Sequence, residues 1–574
     1  MTVKARFRVK SKQSAQSGKG NRKPHLFPKT QKAMFNDFNQ MLNYSAVAGG
    51  LLLSFYVIPY LLDPHNYRRR FSGPWPASFT NAWMSSVVKS GKSGEALLEL
   101  HKQYGTFVRI GPNHISIADI EALEAVYKHG SGLLKSDYYE MFKLGEHGIF
   151  STQDKTEHST MRRRLAHIFS PQNILSYEPR VRNNIRRFVT QWDLRCQQAA
   201  EGRSGFNWRS EGGRAILNVC PQIAYLAFDL IGDLTLGSPF GMIEAQRDTT
   251  RVAKSLEADA KTVDLPLIEM FDRGTQSVSS LAVYPWWAQT AMLLLPWNLF
   301  GLFAARNLIG FSAAALNQKL QRTQGAGDSK QGADMVDKLL EARDEHGNPL
   351  PKQVLIVETF GMLFAGSDTT SNSLSAMCFY LAKHPRTQRK LQAELDEHVP
   401  LKSGSQDEDS NATPDPVVTY QSVKDLPYLN ACLKETLRLH STVGVGLPRV
   451  VPPGKSITIA GQTFEAGCTI SVPSFVTNRA SVWGQDAEDF RPERWLEDTN
   501  GTFGKYYSPF SFGTRACIGR NLAIMDMLLI AATMFRRYDI QLAHADVKPT
   551  IRDSFIRQVY DCDVSIKRRE VISG

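Results

Sequence analysis

Residues 510–519 read FSFGTRACIG, which fits F-x-x-G-x-R-x-C-x-G. Five fixed positions of that kind coincide by chance in roughly one chain in ten thousand at ordinary composition, so the match carries weight that a lone G-x-G does not. Each position has a physical role. Cys517 can offer a thiolate to a haem iron, and thiolate ligation pushes electron density onto the metal in a way that favours O–O cleavage. Gly513 and Gly519 permit a tight turn whose backbone N–H groups point at the sulfur. Arg515 stands where a guanidinium meets a haem propionate, and Phe510 shields the sulfur side. The helical pattern of 520–535 directs the positive end of its dipole at the thiolate.

Working outward from that loop, a helical pattern runs from 352 to 383 without an internal proline. At 1.5 Å per residue it is long enough to cross a whole domain. Between the hinge region and residue 200, short strand-like runs such as TFVRIG and HISIA alternate with helical patterns. Val/Ile/Thr-rich stretches from 443 to 475, broken by Pro-Pro-Gly and Ala-Gly, predict β hairpins. Gly/Ser/Asp/Pro-rich inserts at 323–334 and 401–416 predict loops. The fold class is mainly α with a smaller β part, and the alternating order of a doubly wound sheet is absent.

The haem-loop segment resembles that of the cytochrome P450 superfamily, and three further segments match the same family in the same order. Ala365-Gly366-Ser367-Asp368-Thr369-Thr370 resembles its oxygen-activation motif, A-G-x-D/E-T-T/S. Read from the residues alone, a glycine and several hydroxyls interrupt an apolar helix and compete with its hydrogen-bond ladder, predicting a local opening. The resemblance implies that Thr369 hydrogen-bonds the reacting dioxygen and that Asp368 relays protons to it. Glu435 and Arg438, spaced i, i+3, fall on one helix face. With Arg494 of FRPERW they resemble the family's Glu-Arg-Arg network.

In EHSTMRRRL, His158 and Arg162 stand i, i+4 where the family usually has Trp-x-x-x-Arg, both donating to haem propionates. The histidine is a departure that can still donate. Arg449 falls at another propionate position. The basic face of Arg162, Arg163 and Arg164 suits an acidic reductase partner. The resemblance implies a cytochrome P450 fold that holds haem b between the long helix and the Cys517 loop. Its electrons come from NADPH through a separate flavoprotein, NADPH–cytochrome P450 reductase, with cytochrome b5 as a second donor. No G-x-G-x-x-G opens a helix after a strand, which argues against a nicotinamide site in this chain.

Outside the shared motifs, FVRIGPNHISIAD, GLLKSDYYEMF, YLAFDLIGDLTLGSPFGM and RLHSTVGVGLPR are most similar to the fungal benzoate para-hydroxylase branch. That similarity implies one oxygen atom of O2 inserted into a C–H bond of a small hydrophobic or aromatic substrate, in benzoate-type para-hydroxylation. Substrate-facing positions carried over are Ser136, Phe364, Ala365, Thr369, Val443, Gly444 and Val445. Relatives also decorate polyketides, terpenoids and alkaloids in fungal secondary metabolism, which is the alternative. A haem-thiolate isomerase or dehydratase without electron input is the reading from a different class.

Formal net charge is +12, but residues 1–33 hold ten Lys/Arg and no acid, leaving +2 for the rest. The basicity is a tail and argues against nucleic acid as a partner. Seven scattered cysteines without a C-x-x-C pair fit a reducing compartment better than a disulfide framework. Residues 44–62, YSAVAGGLLLSFYVIPYLL, are 19 residues without a charge, close to the roughly 20 that span a bilayer. The expected organisation is a basic, disordered leader at 1–40, a transmembrane anchor at 42–63, a basic and Pro-rich hinge at 64–78 and a haem-thiolate domain at 79–574. Localisation is expected at the endoplasmic reticulum membrane, single-pass, with the catalytic domain cytosolic. The Lys/Arg excess on the N-terminal side points the other way. An organelle-targeting leader, or an effective start at Met34 or Met41, would reconcile the two. A second apolar run at 281–305 contains Pro285, Gln289, Pro296 and Asn298 and reads as a surface segment dipping into lipid through Trp286, Trp287 and Trp297.

Overall fold

The computed structural model describes residues 39–51, 53–54, 58, 63, 65–253, 262–293, 295, 298–325, 333–399 and 415–570. The leader, much of the apolar stretch, Trp297 and most of both inserts lie outside them. The chain divides into two compact units, Met1–Pro64 and His65–Gly574. In the first, residues 39–51 are helical, and Leu42, Tyr44, Val47 and Leu51 are exposed apolar side chains on that helix.

Seven of the second unit's helices bear on the site: α1 (Lys155–Ala166), α2 (Pro171–Ala200), α3 (Val219–Leu236), α4 (Leu267–Ala282), α5 (Lys352–Lys383), α6 (Pro427–His440) and α7 (Arg520–Arg537). Around them run β1 (Phe107–Gly111), β2 (His114–Ile117), β3 (Leu134–Lys135), β4 (Arg449–Val450), β5 (Thr469–Ser471), β6 (Thr550–Asp553) and β7 (Arg557–Asp561). α1 and α2 open on Asp154 and Ser170, whose side chains accept from Glu157 N and Asn173 N, satisfying donors the first turn leaves open. α5 spans the stretch read as one long helix, and α7 follows the cysteine loop as expected.

α3 is the one helix, among the described residues, long and apolar enough to cross a membrane; 94% of its window is buried, so it is the core helix against which α5 packs. The approach is close because residue 366 lacks a side chain: a Cβ there would stand 2.6 Å from Ile231 Cδ1. The main core gathers large side chains from α2, α3, α5 and α7, including Phe188, Trp192, Phe228 and Phe535.

The main sheet has the order β1-β2-β5-β4-β3, antiparallel except where β5 runs parallel to β2. In it Lys135 pairs with Arg449, which brings two cations from distant segments side by side. β6 and β7 form a separate antiparallel hairpin. A second, four-stranded sheet joins Tyr538–Leu542, Asp563–Arg568, Arg214–Asn218 and Trp208–Glu211. Local pattern does not predict it, because the pairing at its centre, Arg214–Asn218 with Asp563–Arg568, joins residues more than three hundred positions apart.

One further expectation changes. α5 continues through 365–370 without the predicted break: Ser367 and Thr369 donate their hydroxyls to the carbonyls of Leu363 and Ala365, at 2.8 and 2.7 Å, so the hydroxyls supplement the ladder instead of opening it. The Pro-rich segment before residue 79 packs against β1, where Arg109 N donates to Ser72 O at 2.9 Å and a Cβ on residue 73 would meet Arg109 O at 2.2 Å. In the 281–305 run Gln289 faces inward, donating to the carbonyls of Asp137, Ala282 and Tyr284, while Trp286 and Phe303 are 62% and 63% exposed.

Candidate functional site

A cavity of ≈ 440 Å3 lies between α5 and the cysteine loop. Phe360, Phe364, Ala365 and Thr369 supply it from α5, and Phe271 and Thr275 from α4. Phe142, Phe150, Val443, Leu447 and Phe555 add apolar surface, while Phe510, Cys517, Gly519, Leu522 and Ala523 close the side of α7. Phe364 stacks on Phe271 and Phe360 at 5.2 and 5.9 Å. Ala365 is exposed although its helix lies in the core, because its surface faces this space.

The cysteine loop holds its shape through its backbone. Cys517 N donates to Phe510 O at 2.9 Å across a 3-10 turn at Gly513–Arg515. Gly513 has φ +67°, and a Cβ on it would stand 2.5 Å from Tyr127 O and 2.7 Å from His129 N. Gly519, by contrast, has φ −84° and caps α7, so it does not form the left-handed turn. Six cysteines are buried; Cys517 alone is exposed, and it lines the cavity. Its exposed surface opens into the cavity, inside the protein, so desolvation still pushes its thiol pKa up, against the opposing pull of the Gly519 N–H and the Arg162 and Arg520 guanidiniums.

One wall is cationic. Lys135, His158, Arg162 and Arg515 all line the cavity. Arg162 donates to Ala516 O at 2.8 Å and Arg515 to Thr152 O at 3.0 Å, tying α1 to the cysteine loop. Lys135 is buried, donates to Phe150 O and sits 4.5 Å from the Tyr139 ring centroid. Burial, then Arg515 and Arg449, hold its pKa well below the usual lysine range. Burial, then Arg515, Lys135 and Arg162, push His158 down to about 3, so its ring is neutral. Burial and Arg449 lower Arg515 to about 10. A buried cluster whose members depress one another in this way is matched to an anion. An apolar slot with a thiol on one side and this wall on another fits a flat, apolar, dianionic group, and haem answers that description. Arg449 lies behind the wall, outside the lining, with its guanidinium on the Tyr139 hydroxyl at 2.8 Å.

Thr369 faces the cavity, and Asp368, rotated by one residue on α5, does not line it. Asp368 is buried, accepting from Gln558 Nε2 at 3.2 Å and Asn372 Nδ2 at 2.9 Å. Burial, then the charge of Asp272, raise its pKa to about 7. The other carried-over positions divide. Phe364, Ala365 and Val443 line the cavity, whereas Ser136, Gly444 and Val445 lie outside the lining. Ser136 instead caps the turn at Asp137–Phe142, and Val445 packs in an apolar cluster with Met84 and Val108.

Glu435, Arg438 and Arg494 meet in the core, each at most 1% exposed. Arg438 grips Glu435 through both oxygens at 2.9 and 2.8 Å, and Arg494 Nε donates to Glu435 Oε1 at 2.9 Å. The remaining guanidinium donors reach the carbonyls of Asn478, Ala487, Trp483 and Asp486. α6 is thereby fastened to the irregular chain that precedes the cysteine loop.

Sequence reasoning missed three buried ionisable groups on the cavity: Lys135, Glu358 and Asp526. Glu358 and Asp526 are single charges inside apolar runs (LIVETF, AIMDML), and that isolation is the signal that would have found them; Lys135, in GLLKSD, stands two residues from Asp137 and carries no such signal. Glu358 accepts from Ile149 N at 3.2 Å, and burial raises its pKa to about 7.

The family profile described as Cytochrome P450 matches residues 71–562. Benzoate 4-monooxygenase bphA of Aspergillus niger is 37% identical over 92% of this chain and 98% of that protein. Pisatin demethylase of Fusarium vanettenii is 30% identical over 83% of this chain and 86% of that protein. The cytochrome P450 monooxygenase gsfF of Penicillium aethiopicum is 28% identical over 91% of this chain and 97% of that protein. A thiol presented to an apolar cavity with a cationic wall, and a family match that covers both, lead to one conclusion: the chain belongs to the cytochrome P450 family.

Proposed function

We propose that this chain is a haem-thiolate monooxygenase that inserts one atom of O2 into a C–H bond of a small aromatic acid, in the manner of benzoate para-hydroxylation. The observation that carries the reaction class is the thiol of Cys517, the one cysteine turned to a cavity that Thr369 also lines. Haem b, when bound, supplies reductive activation of dioxygen on a thiolate-ligated iron. Cys517 would ligate its iron, and the Gly519 N–H and the N-terminus of α7 would stabilise the sulfur's negative charge. Arg162, Arg515, His158 and Lys135 would hold the propionates, with Arg449 behind them. Thr369 lines the cavity with its hydroxyl held on Ala365 O, and Asp368, buried behind it on α5, holds a proton that the reaction would draw on.

The substrate reading rests on the benzoate 4-monooxygenase similarity and on an aromatic-lined cavity in which Phe142, Phe150, Phe271, Phe364 and Phe555 offer ring faces and edges. Phe364, Ala365 and Val443 bound the reacting end. Electrons arrive from NADPH through a separate flavoprotein reductase, with cytochrome b5 as a second donor. The N-terminal apolar stretch anchors the protein to the endoplasmic reticulum membrane. A second reading, tailoring oxidation of a larger lipophilic secondary metabolite, is favoured by Trp286 and Phe303, apolar and exposed in the segment that follows α4. An intact Asp368–Thr369 pair speaks against an electron-free isomerase, which needs no proton relay.

Haem spin state separates the substrates. Benzoate and its substituted forms should shift the purified holoenzyme from low to high spin, and the reconstituted system should release 4-hydroxybenzoate. A shift given only by bulky terpenoid or polyketide ligands rejects the benzoate reading in favour of the tailoring one.

A further inference from the structure

α4 has two working faces. Phe271, Gly274, Thr275 and Val278 line the cavity, where substrate would touch them. Asp272, next to Phe271, turns to the β6–β7 hairpin and is 6% exposed. Its Oδ2 accepts from Arg552 Nη1 at 3.1 Å, and its Oδ1 is buried without a hydrogen-bond partner. Beside this carboxyl stands Tyr560 of β7, whose ring centroid lies 4.9 Å from the Arg552 guanidinium that binds Asp272. The Tyr560 hydroxyl donates to Gln558 Oε1 at 2.7 Å, and Gln558 Nε2 donates to Asp368 Oδ2 at 3.2 Å. On the far side, Asn372 holds Asp368 Oδ1 at 2.9 Å and is itself held by Val559 N at 2.8 Å. Tyr560 thus stands between Gln558, which takes its proton, and Asp272, and links two buried carboxyls that belong to different helices.

We propose that Asp272 is a positioning residue for Asp368: through Tyr560 and Gln558 it fixes where the Asp368 carboxyl points and whether it keeps its proton, joining the substrate face of α4 to the acid of α5. This rests on the reading of Asp368 as the proton-holding acid. Two carboxyls that sense each other do not readily ionise together. Arg552, 3.1 Å from Asp272, favours its ionised form against the burial that raises its pKa, and the charge on Asp272 is the second largest cause, after burial, of the raised pKa of Asp368. The groups that face Asp368 are Asp272 from α4, Gln558 and Tyr560 from β7 and Asn372 from its own helix; Arg552, Arg273 and Glu269 act on Asp272. A ligand that displaces Phe271 displaces Asp272 with it, and the hydrogen bonds through β7 carry the change to Asp368.

The test is the infrared carbonyl band of Asp368 in the holoenzyme, titrated with pH and identified by its loss in D368N. Removing the charge at 272 in D272N should lower the midpoint by about one pH unit, the size expected for a nearby like charge. Removing the donor at 558 in Q558L should raise it, because that hydrogen bond favours the ionised form. A merely structural role would not move the two in opposite directions. Y560F, which deletes one hydroxyl, should retain the substrate spin shift yet lose severalfold more reducing equivalents to hydrogen peroxide. An unmoved midpoint in D272N, or wild-type coupling in Y560F, overturns the proposal. Wild-type coupling in D368N would instead remove Asp368 from the proposed reaction, while the D272N midpoint still reports the connection between the two carboxyls.

Discussion

Glu358 shows how a single buried charge on this cavity becomes measurable. Its folded pKa of about 7 lies above its ordinary 4.5, so the folded state holds the proton more tightly than the unfolded chain. The stability this contributes is fully present below about 4.5 and is lost as pH rises through about 7. Glu358→Gln should therefore be more stable than wild type at pH 8 and gain little at pH 5, a difference on the order of 3 kcal/mol read from denaturation midpoints at the two pH values. Two glycines make a second contrast at this scale. A side chain on Gly513 runs into the backbone of 127–129 and needs a left-handed φ, whereas one on Gly519 meets Phe169 Cε1 at an ordinary 3.7 Å. Gly513→Ala should lose haem during expression and Gly519→Ala should keep it, compared by the ratio of Soret to protein absorbance. The motif made both glycines look alike; only the backbone angles separate them.

At the scale of elements, α6 and the chain before the cysteine loop are joined by one buried carboxylate. Arg438→Ala strands Glu435 between Arg494 and the Trp495 indole, which donates at 3.0 Å, and leaves the carbonyls of Asn478 and Ala487 without their donor. The cost should be on the order of 3–5 kcal/mol, and the variant should accumulate without haem, seen as apoprotein in the absorption spectrum. Much at this scale was legible in the sequence. α5, α7, β1 and β2 fall where periodicity and composition put them, and E-x-x-R with FRPERW named the network's three members. Side-chain direction was not legible. Asp368 and Thr369 are neighbours in a motif, yet 100° of helical turn sends one to the β7 hairpin and the other to the cavity. The cationic wall draws on β3, α1 and the cysteine loop, and nothing in local spacing announces that Lys135 will stand beside Arg515.

For the whole molecule, the division at residue 64 predicts separable behaviour. A chain lacking residues 1–64 should still take up haem, because the cavity and its cationic wall belong to the second unit, and should shift from the membrane pellet to the supernatant on fractionation. A truncated chain that stays with the membrane would place the attachment in the second unit, at surfaces such as Trp286 and Phe303. The account as a whole depends on the bond between Cys517 and a porphyrin iron, and the carbon monoxide difference spectrum of the dithionite-reduced protein tests it most directly. The wild-type chain should give the red-shifted Soret band of thiolate ligation, and Cys517→Ser should lose that band together with turnover. A thiolate-type band that survives in Cys517→Ser, or one that never forms in the folded wild type, would contradict the account.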